Sequence, residues 1–124
     1  MEITPFRVRG PGSALACLRF GSGPPLVLAH PMFFSKTYFS AAAEVYGEKH
    51  SCVVFDQRGH GDTEADAFDF DAMAEDWRAI LDATGRERAA IGGTSLGAAT
   101  ALRFALKHPE RVSALIQDLP GFGP

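Results

Sequence analysis

Residues 90–98 read Ala-Ile-Gly-Gly-Thr-Ser-Leu-Gly-Ala, an apolar run that passes through a serine between glycines into a helical pattern. A serine at such a strand-to-helix turn needs an unusual backbone conformation, which lifts its hydroxyl clear of the sheet. The residues two before and two after it then approach closely and must be very small, as Gly93 and Gly97 are. The pattern predicts a nucleophile elbow with Ser95 as the nucleophile.

The same turn places Ser95 at the start of a helix. The backbone N–H of Leu96 is then free to donate, and the helix dipole favours an oxyanion that develops beside it. Gly-x-Ser-x-Gly occurs by chance in many proteins, but the strand before it and the helix after it remove most chance matches. The alternative to a nucleophile is a serine without a catalytic role in a glycine-rich strand-to-helix turn. Neither of the glycine-rich phosphate-binding patterns occurs in the chain.

Strand and helix patterns alternate from residue 26 onward. Apolar runs without a polar face, typical of parallel strands covered by helices, occupy residues 26–30, 52–55, 89–91 and 112–116. Helical patterns occupy residues 35–46, 71–84 and 96–108. Two earlier strands, at 6–9 and 14–20, are expected to pair around a turn. The sequence therefore predicts an α/β fold: a mostly parallel central sheet flanked by helices, with an antiparallel N-terminal strand pair.

Two of these helices carry further expectations. The first, 35–46, should end at Gly47 in a left-handed C-cap. The last, 96–108, should turn its apolar side chains toward the sheet. These inward side chains are predicted to be Ala98, Ala101, Leu102, Ala105 and Leu106.

The composition is that of one globular domain, with 124 residues, 46% hydrophobic and 22% charged. A net charge of −3 without a block of like charges argues against a nucleic-acid partner. No run reaches transmembrane length and no signal peptide is evident, so we expect no membrane contact and a cytoplasmic location. The apolar surroundings of Cys17 and Cys52 predict buried, reduced thiols. No ligand spacing predicts a metal, and no cofactor is implied.

Three ordered motifs resemble those of the α/β-hydrolases. The first is Leu-Ala-His-Pro-Met at 28–32, after a strand. The second is Asp-Gln-Arg-Gly-His-Gly-Asp-Thr at 56–63, after the next strand. The third is the elbow at 93–97, followed by Phe-Ala-Leu-Lys-His-Pro-Glu-Arg-Val at 104–112. The resemblance covers nearly the whole chain.

The resemblance implies roles for the loops that follow the strands. The resemblance implies that the second oxyanion N–H comes from the residue two beyond His30, which is Met32; Pro31 lacks an N–H, but Met32 keeps its own. His30 itself is expected to be a structural hydrogen bonder. The segment 58–63 is expected to be a turn scaffold, in which His60 is neither a ligand nor a base.

A serine nucleophile needs a base, and in these enzymes the chain order is serine, acid, histidine. The only histidine after Ser95 is His108, about 20 Å away along the helix. His50 precedes a strand and is expected at the opposite edge of the sheet. Residues 1–124 are therefore expected to be the N-terminal part of a single hydrolase domain, truncated after the sixth strand. The cap and the C-terminal, triad-bearing part would be absent.

Asp118 is a candidate triad acid, because it ends the strand expected beside that of Ser95. The alternative is a turn former next to Pro120. The interrupted sheet would also leave the strand at 112–117 with an apolar edge, which a second chain or a symmetry mate is expected to cover.

The resemblance implies a serine hydrolase acting on a carboxylic ester or a related small acyl substrate. The isolated chain would be inactive or nearly so. A serine at the elbow argues against the relatives that use an aspartate, namely dehalogenases and epoxide hydrolases. C–C hydrolase, haloperoxidase and acyltransferase activities remain open. The alternative class is a non-catalytic half-fold that binds a small apolar ligand or a partner chain.

Overall fold

The computed structural model describes residues 1–65 and 68–118, and these residues form one six-stranded mixed sheet flanked by helices. The strands are β1 (Ile3–Gly10), β2 (Ser13–Phe20), β3 (Pro25–Ala29), β4 (Ser51–Phe55), β5 (Ala89–Thr94) and β6 (Val112–Asp118). The helices are α1 (Ala43–Lys49), α2 (Phe70–Ala83) and α3 (Leu96–Lys107), with short 3-10 segments at Lys36–Ala42 and Pro109–Arg111. The predicted α/β fold class is confirmed.

The strand order in the sheet is β1-β2-β4-β3-β5-β6. The hairpin β1–β2 is antiparallel and β2 pairs antiparallel with β4, whereas β4, β3, β5 and β6 run parallel to one another. The carboxyl ends of four strands therefore meet at one edge of the sheet. In open α/β sheets this is the edge where ligands bind, and all three sequence motifs lie there.

The parallel strands are buried on both faces, which explains why they lack a polar face. On one face Val27, Val53 and Ile91 pack with Trp77 of α2 and Phe104 of α3. The indole of Trp77 also contacts the ring of Phe55 edge to face, with centroids 5.1 Å apart. On the other face, the alternate strand residues pack against Phe39 of the 3-10 segment and Ala43 of α1; these strand residues are Leu26, Leu28, Cys52 and Val54. Full burial of one large apolar side chain contributes about 1.5–3 kcal/mol.

The prediction that the first helix ends at Gly47 was wrong. The chain forms a 3-10 segment first, and α1 then continues through Gly47 to Lys49. Gly47 is buried inside the helix, where a Cβ would lie 2.7 Å from the Met1 sulfur and 3.3 Å from the Cα of Gly21. This glycine permits a close approach to the β2–β3 connection instead of ending a helix.

The inward face of α3 was predicted correctly for Ala98 and Ala101, and Ala105 also packs against the core, but the prediction was wrong for two leucines. Leu102 and Leu106 are 41% and 74% exposed, while Phe104 is fully buried. The apolar arc of this helix is wide, because alanines and leucines cover more than half of its circumference. Hydrophobic periodicity alone therefore cannot show which edge of the arc faces the sheet.

A buried ion pair joins α2 to the loop after β4. Arg58 donates to the carboxylate of Asp76 from Nε at 2.8 Å and from Nη2 at 2.9 Å. The same guanidinium donates to the Pro11 carbonyl and to the hydroxyl of Ser13, so it also anchors the N-terminal hairpin. Burial raises the pKa of Asp76, and its bonds to Arg58 oppose that rise.

Both cysteines are buried free thiols, as predicted. Burial raises the pKa of Cys17 to about 12 and that of Cys52 to about 11. Such thiols stay protonated and are poor nucleophiles. Across residues 1–65 and 68–118, no helix combines the length and the apolar character needed to cross a membrane.

Candidate active site

Ser95 joins β5 to α3 in a strained backbone conformation, with φ 55° and ψ −108°. Within the described residues only one other non-glycine residue has a positive φ, namely Phe33. L-residues avoid this region because their Cβ collides with the neighbouring backbone, at a cost of about 1–3 kcal/mol. The sharp turn is the one that the sequence predicts; the role of the serine stays a prediction.

The two glycines of the turn are required by close backbone contacts. A Cβ on Gly93 would lie 2.7 Å from the carbonyl oxygen of Ala29 and would overlap the backbone of Gly97. A Cβ on Gly97 would in turn overlap the carbonyl group of Ala29 and lie 3.0 Å from the carbonyl oxygen of His30. The end of β3 thus packs directly against the first turn of α3, and only glycine fits at either position.

Leu96 is the first residue of α3, so its N–H has no acceptor within the helix. The first turn of the helix carries no acidic side chain that would compete for this N–H. The N-terminal end of the helix dipole adds partial positive charge at the same point. This arrangement can stabilise a negatively charged oxygen next to Ser95.

The N–H of Met32, which the sequence resemblance implies as the second oxyanion donor, lies in the tight turn after β3. Phe34 N–H donates to the carbonyl of Pro31 at 3.2 Å, and Phe33 has φ 70°. A positive φ at the third residue is typical of a type II turn, where glycine is preferred. Met32, the second residue of the turn, keeps its N–H and is partly exposed.

His30 is fully buried and both of its ring nitrogens are engaged. Gln57 N–H donates to Nε2 at 3.0 Å, and Nδ1 lies 2.7 Å from the carbonyl oxygen of Pro31. Since Nε2 accepts, the proton is on Nδ1 and the ring is neutral. Burial lowers the pKa of His30, although the bond to Pro31 opposes this effect. His30 thus makes the structural hydrogen bonds expected of it.

Asp56 holds together the loops after β3 and β4, a role that the sequence motif alone did not reveal. Its carboxylate accepts from Lys36 N–H at 2.6 Å, from Lys36 Nζ at 2.8 Å and from Asp62 N–H at 2.9 Å. A Cβ on Gly61 would overlap this carboxylate. Burial alone would raise the pKa of Asp56, but the bonds from Lys36 and Asp62 lower it below its ordinary value.

His60 lies in the loop after β4, between Gly59 and Gly61, which both have a positive φ. Its ring centroid is 5.0 Å from that of His30, and its Nδ1 is 3.1 Å from the Arg58 carbonyl oxygen. The loop is a compact turn, in agreement with its predicted role as a scaffold. An open groove of about 400 Å³ beside it is lined by Met32, Phe33, Phe34, Gly59, His60, Gly61 and Phe68.

The remaining histidines lie away from Ser95. His108 caps the far end of α3, 13 residues after Ser95, so about 20 Å separates it from the serine. Its Nε2 lies 2.9 Å from the carboxylate of Glu75. His50 follows α1 and precedes β4, at the opposite edge of the sheet. The structure therefore does not bring either one to the serine.

Asp118 ends β6 directly beside the turn. Its carbonyl accepts from Ser95 N–H at 3.0 Å, and its carboxylate accepts from the Thr94 hydroxyl at 3.3 Å. The predicted turn at Pro120 lies outside the described residues. Within residues 1–65 and 68–118, no three His, Cys, Asp or Glu side chains gather as a metal site would require.

Comparisons with known proteins point to one family. The model of the alpha/beta hydrolase fold family matches residues 24–122. RutD of Escherichia coli O139:H28, named as a putative carbamate hydrolase, is 33% identical over 100 residues. That match covers 78% of this chain and 38% of RutD.

Solved structures agree with the sequence matches. The ALR0039 protein of Nostoc sp PCC 7120 superimposes with a TM-score of 0.88 at 26% identity, covering 94% of this chain and 42% of that one. A putative epoxide hydrolase of Pseudomonas aeruginosa superimposes with a TM-score of 0.87 at 30% identity, covering 93% and 40%. The chain thus spans about two fifths of the length of the relatives it matches.

Proposed function

The chain belongs to the alpha/beta hydrolase fold family, and from this premise we propose that it carries the nucleophile and the oxyanion donors of a serine hydrolase. The substrate class is a carboxylic ester or a related acyl compound. The observation that supports the proposal is the strained turn at Ser95, which lies at the start of α3, where the end of β3 packs against the first turn of the helix. No cofactor is needed for this chemistry.

In the proposed reaction the Ser95 oxygen attacks the substrate carbonyl carbon while a base takes the hydroxyl proton. The carbonyl electron pair moves onto oxygen, and the N–H groups of Leu96 and Met32 donate to that oxyanion. The tetrahedral intermediate then collapses, and the leaving oxygen takes the proton back from the base. Water releases the acyl group from Ser95 through a second oxyanion. Loss of one such donor costs about 10²–10³ in kcat.

The base is proposed to be a histidine outside these 124 residues, oriented by an acid. His30 is buried with both nitrogens engaged, while His50 and His108 lie away from the serine. His60 lies at the same edge of the sheet as Ser95, the edge where the parallel strands end, but it belongs to the turn scaffold. Asp118 stays a candidate for the acid, since its backbone contacts Ser95.

The identity of the nucleophile narrows the reaction class. One similar structure is titled a putative epoxide hydrolase. The relatives that hydrolyse epoxides use an aspartate at this turn, so Ser95 favours acyl substrates instead. The RutD name points to a carbamate, which, like an ester, is attacked at an acyl carbonyl carbon. C–C hydrolase, haloperoxidase and acyltransferase activities need the same serine and stay alternatives.

The second candidate is a binding module without catalysis. Its support is that, within residues 1–65 and 68–118, no histidine forms a hydrogen bond with Ser95. Against it stands the strain at Ser95, which costs folding free energy and which a binding module has no need to keep.

A fluorophosphonate probe tests the proposal in the full chain, meaning the 124 residues together with the C-terminal part proposed to carry the acid and the histidine. We expect one label per chain on Ser95, none in Ser95→Ala, and ester hydrolysis that disappears with the label. The isolated 124-residue chain should hydrolyse p-nitrophenyl acetate only marginally above background, because a missing triad histidine costs about a millionfold. A full chain that is folded but unlabelled would favour the binding module.

We also propose that another strand covers the edge of β6. β6 pairs with β5 on one side, and the Leu115 and Ile116 side chains of β6 are exposed. An apolar edge with unpaired N–H and C=O groups is a template for a further strand. In the 124-residue chain the cover would come from a second chain or a symmetry mate.

A further inference from the structure

We infer that Gln57 is a positioning residue, which holds the two proposed oxyanion donors in a fixed relation to each other. The inference rests on the proposed function, because it concerns the Met32 and Leu96 N–H groups. The side-chain amide of Gln57 bridges the two segments that carry these donors. Its Nε2 donates to the His30 carbonyl at 2.8 Å, and its Oε1 accepts from the Thr100 hydroxyl of α3 at 2.7 Å.

The direction of every bond in this bridge is determined. The indole N–H of Trp77 can only donate, and it lies 3.1 Å from the Thr100 hydroxyl oxygen. The His30 carbonyl oxygen can only accept, so the amide nitrogen of Gln57 must face it, and Gln57 Oε1 then accepts from the Thr100 hydroxyl. A rotated amide would set oxygen against oxygen. Because Trp77, Thr100, Gln57 and His30 are all buried, water does not replace a lost bond at low cost.

One arm of the bridge leads to Met32. Gln57 also donates its backbone N–H to His30 Nε2, which puts the ring proton on Nδ1. Nδ1–H then holds the Pro31 carbonyl at 2.7 Å. The peptide between Pro31 and Met32 is planar and trans, so a fixed carbonyl direction fixes the opposite direction of the Met32 N–H.

The other arm leads to Leu96. Thr100 lies four residues after Leu96, one turn along the same face of α3. Its hydroxyl oxygen also lies 3.3 Å from the carbonyl oxygen of Gly97. Besides the backbone packing of Gly97 against Ala29, the first turns of α3 are therefore tied to the loop after β3 through the Thr100 hydroxyl and the Gln57 amide. An oxyanion needs donors placed to within about 0.5 Å, and a bridge of this kind can supply that precision.

Two substitutions remove the bridge with little change of shape, and one preserves it. Thr100→Val removes the hydroxyl, Gln57→Met removes the amide, and Thr100→Ser keeps the hydroxyl as the matched control. In the full chain we expect the first two to lower kcat for a p-nitrophenyl ester about 10–100-fold, part of the loss for one whole donor. KM should change less than about twofold, since ground-state binding does not use these donors.

A trifluoromethyl ketone gives a second readout, because its adduct with Ser95 carries an oxyanion. Its affinity should fall in parallel with kcat in Thr100→Val and Gln57→Met, while Thr100→Ser stays near wild type. In the unmodified chain, the ¹⁵N shifts of the His30 ring should report the Nδ1–H tautomer. This measurement does not depend on any variant folding.

The inference is overturned if Thr100→Val or Gln57→Met only lowers the unfolding free energy while kcat and ketone affinity stay within about twofold of wild type. A His30 ring protonated on Nε2 would also overturn it, since the arm to Met32 would be broken. Failure of the proposed function looks different. Ser95→Ala would then keep its activity, or the folded full chain would not react with the fluorophosphonate, whatever the state of Gln57.

Discussion

Gly97 packs so closely against Ala29 that a Cβ on the glycine would overlap the alanine carbonyl. Gly97→Ala must therefore push α3 away from β3, and overpacking of this kind costs about 1–3 kcal/mol. Gly85→Ala is the matched control, because its Cβ would meet no atom within 4 Å and only its φ of 69° opposes the change. We expect urea unfolding of the full chain to show the larger loss for Gly97→Ala, together with a loss of ester hydrolysis that Gly85→Ala does not share.

The strain at Ser95 predicts an unusual pair of stabilities. Ser95→Gly and Ser95→Ala both remove the hydroxyl and should both abolish hydrolysis and labelling. Glycine adopts φ 55° without a Cβ collision, so Ser95→Gly should be more stable than Ser95→Ala by about 1–3 kcal/mol. Chemical unfolding of the two variants of the full chain measures the difference. Equal stabilities would mean that the turn is not strained in solution.

The sequence predicts well those features that depend on local geometry. The turn at Ser95 could be found because its strain and its two glycines all fall within five consecutive residues. The strands after residue 25 could be found because burial on both faces leaves a continuous apolar run.

Features that depend on tertiary contacts were not predicted. Arg58 meets Asp76 across 18 residues, and Thr100 meets Gln57 across 43. Nothing in the neighbourhood of either residue in the sequence identifies its partner. The prediction for Gly47 was wrong for the same reason, since Gly21, which it contacts, lies in the distant β2–β3 connection. Only the folded chain shows that His30 is oriented by Gln57.

The buried carboxylate of Asp56 makes stability depend on pH. Its pKa in the folded chain lies below its ordinary value of 3.8, so the unfolded chain takes up the proton first as the pH falls. The stabilisation is complete above about pH 4 and is lost as the pH falls through the lower, folded pKa. Asp56→Asn should cost about 3 kcal/mol at pH 7, because Lys36 loses its buried partner.

The test is the difference in unfolding free energy between Asp56→Asn and the unmodified chain, measured at pH 7, 5, 4 and 3. This difference should stay constant down to about pH 4 and then shrink. Taking the difference cancels the contributions of other groups, including Asp76, whose pKa is raised and acts in the opposite sense. A difference that grows below pH 4 would contradict the assignment.

The distance between His108 and Ser95 predicts that this histidine has no part in the reaction. His108→Gln removes the contact with Glu75, so it should cost about 1 kcal/mol of stability at most. Its kcat in the full chain should stay within about twofold of wild type, because α3 keeps the two residues about 20 Å apart. A loss of several orders of magnitude would place the base on this chain and refute the proposal of an external histidine.

The exposed edge at β6 predicts self-association of the 124-residue chain. Ile116 is 49% exposed there, and a lysine at an edge strand opposes pairing with another strand. Ile116→Lys should therefore shift the chain toward monomer in sedimentation velocity over a concentration series. Val45→Lys is the control, since Val45 is also an exposed apolar residue but lies on α1, away from β6. A chain that is monomeric at every concentration before any substitution, with β6 accessible to solvent, would refute the proposed cover.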